Sequence, residues 1–150
     1  MATRTISREI KIDAPPERVW AVLTDLAAYP EWNPFIRHIQ GELRVGGKLE
    51  VRIQPPGGAG MTFRPTVLAV DAGQELRWLV RLLRPGLHDG EHALRIEALG
   101  GGRSRFVQSE TFSGLLVGFR KGTLAKTANG FQAMNEALKA RVAGSGPGLA

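Results

Sequence analysis

The sequence predicts an α+β fold. A curved antiparallel sheet of about seven strands wraps on a long C-terminal helix, with two short helices following the first strand. Three observations carry this prediction. Segments of alternating apolar and polar residues recur as far as Phe112. Glycine- and proline-rich turns separate them. Between Lys121 and Val142 the apolar spacing changes to three and four residues and stays there. A sheet with one apolar face needs a cover, and only that last element is long enough to provide one.

Taken in order, Thr5 to Ile12 is a strand with Ile6, Ile10 and Ile12 on one parity and Thr5, Ser7, Glu9 and Lys11 on the other. Asp13-Ala14-Pro15-Pro16 ends it, and the prolines with Glu17 suit a helix start. Val19, Trp20, Val22, Leu23 and Leu26 then form the apolar stripe of a short helix from Pro16 to about Asp25. A second helical turn is expected over Leu26 to Tyr29, cut by Pro30, with Glu31 to Pro34 a tight turn carrying an aromatic plug. Strands are expected at Ile36–Leu43, Lys48–Gln54, Met61–Val70, Glu75–Leu83, Glu91–Leu99 and Arg103–Phe112. Gly46-Gly47, Pro55 to Gly58, Arg84-Pro85-Gly86 and Gly100 to Gly102 punctuate them. The final helix carries Leu124, Ala128, Phe131, Met134, Leu138 and Val142 on one face. Asn129-Gly130 in its middle marks a kink or a site of close packing. Residues 1–143 read as one domain and residues 144–150 as a flexible tail.

Composition narrows the function classes. The 150-residue chain is 43% hydrophobic and 23% charged, ordinary values for a globular domain. No apolar run is long enough to span a bilayer, and the polar start of the chain lacks the apolar core of a secretory signal. Cysteine is absent, which removes thiolate chemistry and disulfides and fits a cytoplasmic location. The net charge of +6 comes mostly from scattered arginines, with no consecutive basic run, so nucleic acid is not an expected partner. On strands, outward arginines are the wet side of a half-buried sheet.

Val19 to Asp25, followed by Tyr29-Pro30-Glu31-Trp32-Asn33-Pro34, resembles the START-like superfamily, also called SRPBCC, and within it the polyketide cyclase/dehydrase and lipid-transport branch. The same pattern includes Ile12 to Pro15, Gly41, the Gly46-Gly47 turn and the strand Phe106 to Gly114. The resemblance runs from about residue 3 to residue 142 and implies a helix-grip fold. It is specific for fold and poorly specific for function, since members include lipid carriers, aromatic cyclases, plant allergen-type binders and co-chaperone domains.

The candidate site comes from polar residues on inward parities. Phe106, Gln108, Glu110 and Phe112 share one parity in the last strand, and His92, Leu94 and Ile96 share one in the strand before. A hairpin symmetric about Gly101 sets His92 opposite Glu110, Leu94 opposite Gln108 and Ile96 opposite Phe106. A His–Glu pair facing a cavity can transfer a proton or bind the polar end of a ligand. It can also be a structural pair inside the core, and a bulge could send one member outward. Trp78, Met61, Phe63, Phe131 and Met134 are expected as apolar walls around it. Core packing explains any one of them equally well. Leu115, Leu116 and Phe119 lie in an apolar glycine-rich loop that reads as a cavity entrance, as ordinary packing, or as a dimer or membrane contact.

The three histidines, His38, His88 and His92, show no convincing ligand spacing, so no metal is expected. No phosphate-binding or dinucleotide motif occurs, so no cofactor is expected. These readings converge on a module that binds a small hydrophobic ligand in an internal cavity, as a monomer or homodimer without stable membrane insertion. The alternative is a cyclase or dehydratase using His92 and Glu110 for acid–base work.

Overall fold

The structure is a computed structural model that describes residues 3–82, 88–114 and 121–144. Strand β1 (Thr3–Ile12) leads into helix α1 (Pro16–Thr24), a 3-10 turn (Leu26–Ala28) and the one-turn helix α2 (Tyr29–Trp32). Strands β2 (Ile36–Gly41), β3 (Leu49–Ile53), β4 (Met61–Phe63), β5 (Thr66–Asp71), β6 (Glu75–Leu82), β7 (His88–Gly100) and β8 (Arg103–Ser113) follow. Helix α3 (Lys121–Gly144) closes the described chain. The expected break at Arg84 to Gly86, and the tail beyond Gly144, fall outside the described residues.

Two antiparallel ladders make up the sheet, one ordered β1-β8-β7-β6-β5 and the other β2-β3-β4. They are stitched together where the turn before β3 meets β5. Gly46 and Leu49 donate to the carbonyls of Val67 and Pro65, and Val67 donates back to Gly47. The result is one curved surface whose inner face is covered by α3, which is the expected helix-grip architecture. None of the described helices is long and apolar enough to cross a membrane.

Two local differences from expectation have clear causes. The single strand expected over Met61–Val70 is two strands, because Arg64-Pro65 interrupts it and proline cannot donate to a ladder. Pro30 does not cut a helix; it occupies the first turn of α2, where a missing N–H is harmless. In the β7–β8 hairpin, Gly100, Gly101 and Gly102 all take positive φ (82°, 65° and 75°), which a run of side-chain-bearing residues would resist.

The core lies between α3 and the sheet. From the helix, Phe131, Met134, Leu138 and Val142 are fully buried, and they meet Ile12, Phe35, Leu76, Trp78, Leu94 and Phe106. Gly130 is the closest approach: a Cβ at this position would overlap the Phe35 ring. Phe35 is itself fixed by Asn33, whose Oδ1 accepts from the amides of Phe35 (2.9 Å) and Ile36 (2.8 Å). The Phe35 ring then meets Phe131 edge-on at 5.6 Å. Gly130 of the Asn-Gly pair in α3 is thus a site of close packing, while Asn129 is exposed.

Tyr29 is completely buried beneath α1 and donates to the Leu23 carbonyl at 2.6 Å. Burial, and then the charge of Asp25, push its phenol well above the ordinary value.

This packing can be tested at two positions. Alanine at Gly130 adds helix propensity worth up to ~1 kcal/mol but overpacks the Phe35 contact at a cost of about 1–3 kcal/mol. Gly130→Ala therefore lowers the melting temperature, whereas Gly122→Ala, in open space on the same helix, does not. Equal melting temperatures for the two variants would contradict this packing. As for Tyr29, the folded state holds its proton more tightly than the unfolded chain does. The associated stability is complete below the unfolded pKa of about 10 and is lost as pH rises above it. Because Tyr29 is the only tyrosine, the tyrosinate ultraviolet band should appear only as the protein unfolds in alkali. A band that develops around pH 10 in folded protein would contradict its burial.

Candidate functional site

The β7–β8 register pairs His92 with Glu110, Leu94 with Gln108 and Ile96 with Phe106, as the turn symmetry predicts, and slips only near the glycines. Across neighbouring strands the pairing continues, so Trp78, His92, Glu110 and Ile6 form one row on four adjacent strands. The next row holds Leu76, Leu94, Gln108 and Arg8. Polar side chains thus enter the apolar face of the sheet at adjacent levels.

His92 is 1% exposed and its ring packs against two aromatic rings. Trp78 stacks on it with centroids 5.0 Å apart and planes 29° apart, and Phe131 of α3 stands 5.0 Å away at a 59° tilt. Nε2 lies 2.8 Å from Gln108 Oε1, and Nδ1 lies 3.4 Å from Glu110 Oε1. Gln108, fully buried, donates from Nε2 to Asn135 Oδ1 at 2.9 Å. Asn135, also fully buried, donates to the Arg8 carbonyl on the edge strand at 3.1 Å. The second Glu110 oxygen fills the space above Gly90, where any Cβ would overlap it. A side chain at residue 90 would displace the carboxylate.

Hydrogen bonds therefore run from the Arg8 carbonyl through Asn135 and Gln108 to His92, and a longer 3.4 Å contact continues from His92 to Glu110. That matters because a buried polar group left without a partner costs about 1–3 kcal/mol. Of the four linked side chains Glu110 is the most accessible, with 11% exposed against 1% for His92. It also separates two apolar groups. Below it lies the main core with Trp78, Leu94, Phe106, Phe131 and Met134, and beyond it a smaller cluster of Phe112 and Leu124. Ile6 packs against both.

Of the residues expected at the site, the structure brings together Trp78, His92, Leu94, Gln108, Glu110, Phe131 and Met134 in one buried region. Phe112 sits in the smaller cluster. Met61 is corrected: it keeps the parity of Phe63, opposite Ile53, but it is 47% exposed because it is the first residue of β4, the edge strand of the three-stranded ladder. Phe63 on the same short strand is only half-buried. Leu115, Leu116 and Phe119 lie outside the described residues.

Sequence reasoning misses Asn135 and Gly90. Asn135 is findable, because it falls four residues after Phe131 and three before Leu138, a polar residue on the apolar face of the helix. Gly90 gives no such signal, because its role is to leave space.

The site's chemistry is that of a hydrogen-bonding and proton-holding group on an apolar wall. A carboxylate beside an imidazole can accept from a ligand hydroxyl or pass a proton, while the aromatic rings of Trp78 and Phe131 are buried against His92 and hold it in place.

Solved structures share this fold. The Zhui aromatase/cyclase of Streptomyces sp. R1128 superposes with a TM-score of 0.77 at 16% identity, covering 94% of each chain. A START superfamily protein from Mycobacterium smegmatis gives 0.72 at 19% identity, covering 95% of this chain and 99% of that one. Norcoclaurine synthase from Thalictrum flavum, solved with dopamine and hydroxybenzaldehyde, gives 0.73 at 15% identity, covering 97% and 89%. Among curated proteins no sequence matches. The model of the family described as polyketide cyclase / dehydrase and lipid transport matches residues 3–143. Nearly the whole described chain lies within that match, and the protein belongs to this family.

Proposed function

We propose that this protein binds a small hydrophobic ligand between α3 and the inner face of the sheet, with the ligand's polar end at Glu110. The observation that carries this reading is the buried polar chain itself. A core needing only stability would fill these positions with apolar side chains, since satisfied buried polar groups contribute little net stability. Here three polar side chains, Asn135, Gln108 and His92, lead to one carboxylate between two apolar clusters. Trp78 and Phe131 pack on the His92 ring next to it. Family membership supports the same reading, because the family's description includes lipid transport. The ligand class is a lipid, a polyketide or another aromatic molecule, and transport or sequestration is the associated role. The lack of cysteine suits a reducing cytoplasm.

A second reading is favoured by the 3.4 Å His92–Glu110 contact: an acid–base enzyme of the cyclase or dehydratase kind. Solved relatives of that fold include an aromatase/cyclase and a synthase. Such an enzyme needs a substrate proton within reach of Glu110. Full turnover by a His92→Ala, Glu110→Gln double variant would exclude it.

Native mass spectrometry of protein purified under mild conditions tests the binding reading. The expected result is a small apolar molecule retained in the native spectrum and lost on denaturation, or one-to-one uptake of an added aromatic such as 2-naphthol. Phe131→Ala should weaken that uptake about tenfold or more, as loss of a buried aromatic wall does. Protein that carries nothing and takes up none of a panel of lipids and aromatics would overturn the proposal.

A further inference from the structure

The polar chain has one end whose chemistry is fixed. The Arg8 main-chain carbonyl can only accept, so the group 3.1 Å from it must be the Asn135 amide nitrogen. That turns Asn135 Oδ1 toward Gln108, where an oxygen again can only accept, and Gln108 must present its Nε2 to it at 2.9 Å. Gln108 Oε1 is then left for His92, and as an acceptor at 2.8 Å it requires a proton on His92 Nε2. Three contacts thus set the imidazole's tautomer from a backbone atom on a neighbouring strand.

What remains is Nδ1, 3.4 Å from Glu110 Oε1. A bare Nδ1 this close to an ionised carboxylate oxygen is unfavourable in a buried site, and one proton held by the pair removes the repulsion. The proton sits on Nδ1, giving an imidazolium and a carboxylate, or on Oε1, giving two neutral groups. Both arrangements hold one proton between the same two atoms and carry zero total charge. In both, Glu110 Oε2 has no proton. Oε2 is the oxygen above Gly90, and among the described residues none donates to it.

We infer that Asn135 and Gln108 are positioning residues that fix His92 in the Nε2–H form. Glu110 Oε2 is thereby held as a proton-free acceptor, and the site selects apolar ligands that end in an O–H or N–H donor. This rests on the binding reading and sharpens it. An ether or ester at the same place would set a lone pair against a lone pair. A phenol or alcohol makes a charge-assisted or neutral hydrogen bond instead.

Two measurements test this separately. Histidine-selective long-range nitrogen–proton spectra of the ligand-free protein read the tautomer directly. The expected pattern for His92 is a protonated Nε2; a bare Nε2 with a proton on Nδ1 alone would overturn the assignment. Asn135→Ala releases the Gln108 amide to turn over, so its His92 signal should become a mixture of forms. If that variant does not fold, the wild-type spectrum still decides.

Binding of 2-naphthol against 2-methoxynaphthalene reads the selectivity, since the two share an apolar body and differ in the donor. The ether should bind about ten- to a hundredfold more weakly, the value of one hydrogen bond to a charged or polarised acceptor. Glu110→Gln should weaken naphthol binding but keep the preference, because the substituted amide N–H can donate to His92 Nδ1 and leave the amide oxygen where Oε2 stood. Glu110→Leu should abolish the preference. Equal binding of the two compounds by wild type, or loss of preference in Glu110→Gln as complete as in Glu110→Leu, would overturn the inference. Failure of both compounds to bind, with the Nε2–H spectrum as expected, would overturn the binding reading and leave the proton assignment standing.

Discussion

The Gln108–Asn135 hydrogen bond is the contact on which the rest of the interior depends. Both side chains are fully buried, one on the central strand pair and one on the covering helix. Each has its second polar atom committed elsewhere, Gln108 to His92 and Asn135 to the Arg8 carbonyl. Hydrophobic contact is non-directional and would tolerate a helix that slides or rolls on the sheet. A pair of buried amides does not tolerate it, because any displacement leaves donors and acceptors unpaired at about 1–3 kcal/mol each. The Gly130–Phe35 approach sets how deep the helix lies, and the amide pair sets where along the sheet it lies.

That registration brings Phe131 to 5.0 Å from His92, whose ring also stacks on Trp78. The imidazole is therefore oriented by packing against two aromatic rings and by hydrogen bonding at Nε2. Its remaining edge faces Glu110, and Gly90 leaves the carboxylate the room to lie flat against the neighbouring strand. Backbone, helix docking and site chemistry thus form one connected arrangement.

Much of this is legible in the sequence. Alternation in Glu91–Leu99 and Arg103–Phe112, with three glycines between, is enough to place His92 opposite Glu110, because turn symmetry and a period of two leave little freedom. The covering helix is legible from its spacing of three and four. What escapes has physical reasons. Alternation gives Met61 its correct parity but not its depth, because a period of two does not say that Arg64-Pro65 cuts the strand short and leaves Met61 at the end of an edge strand. The role of Asn135 depends on which strand carbonyl the helix meets, and periodicity within a helix carries no information about its partner. Gly90 acts through an absent side chain, visible only when the carboxylate above it is seen.

A double-mutant cycle between Gln108 and Asn135 tests the central claim most directly. Unfolding free energies would be measured for Gln108→Leu, Asn135→Leu and the double variant. Each single change should cost about 1–3 kcal/mol, because it strands a buried partner. The double variant should be more stable than the sum of the two losses implies, with a coupling of about 0.5–3 kcal/mol. Additive losses, within the ~0.5 kcal/mol expected of independent sites, would contradict a helix registered on the sheet by this hydrogen bond.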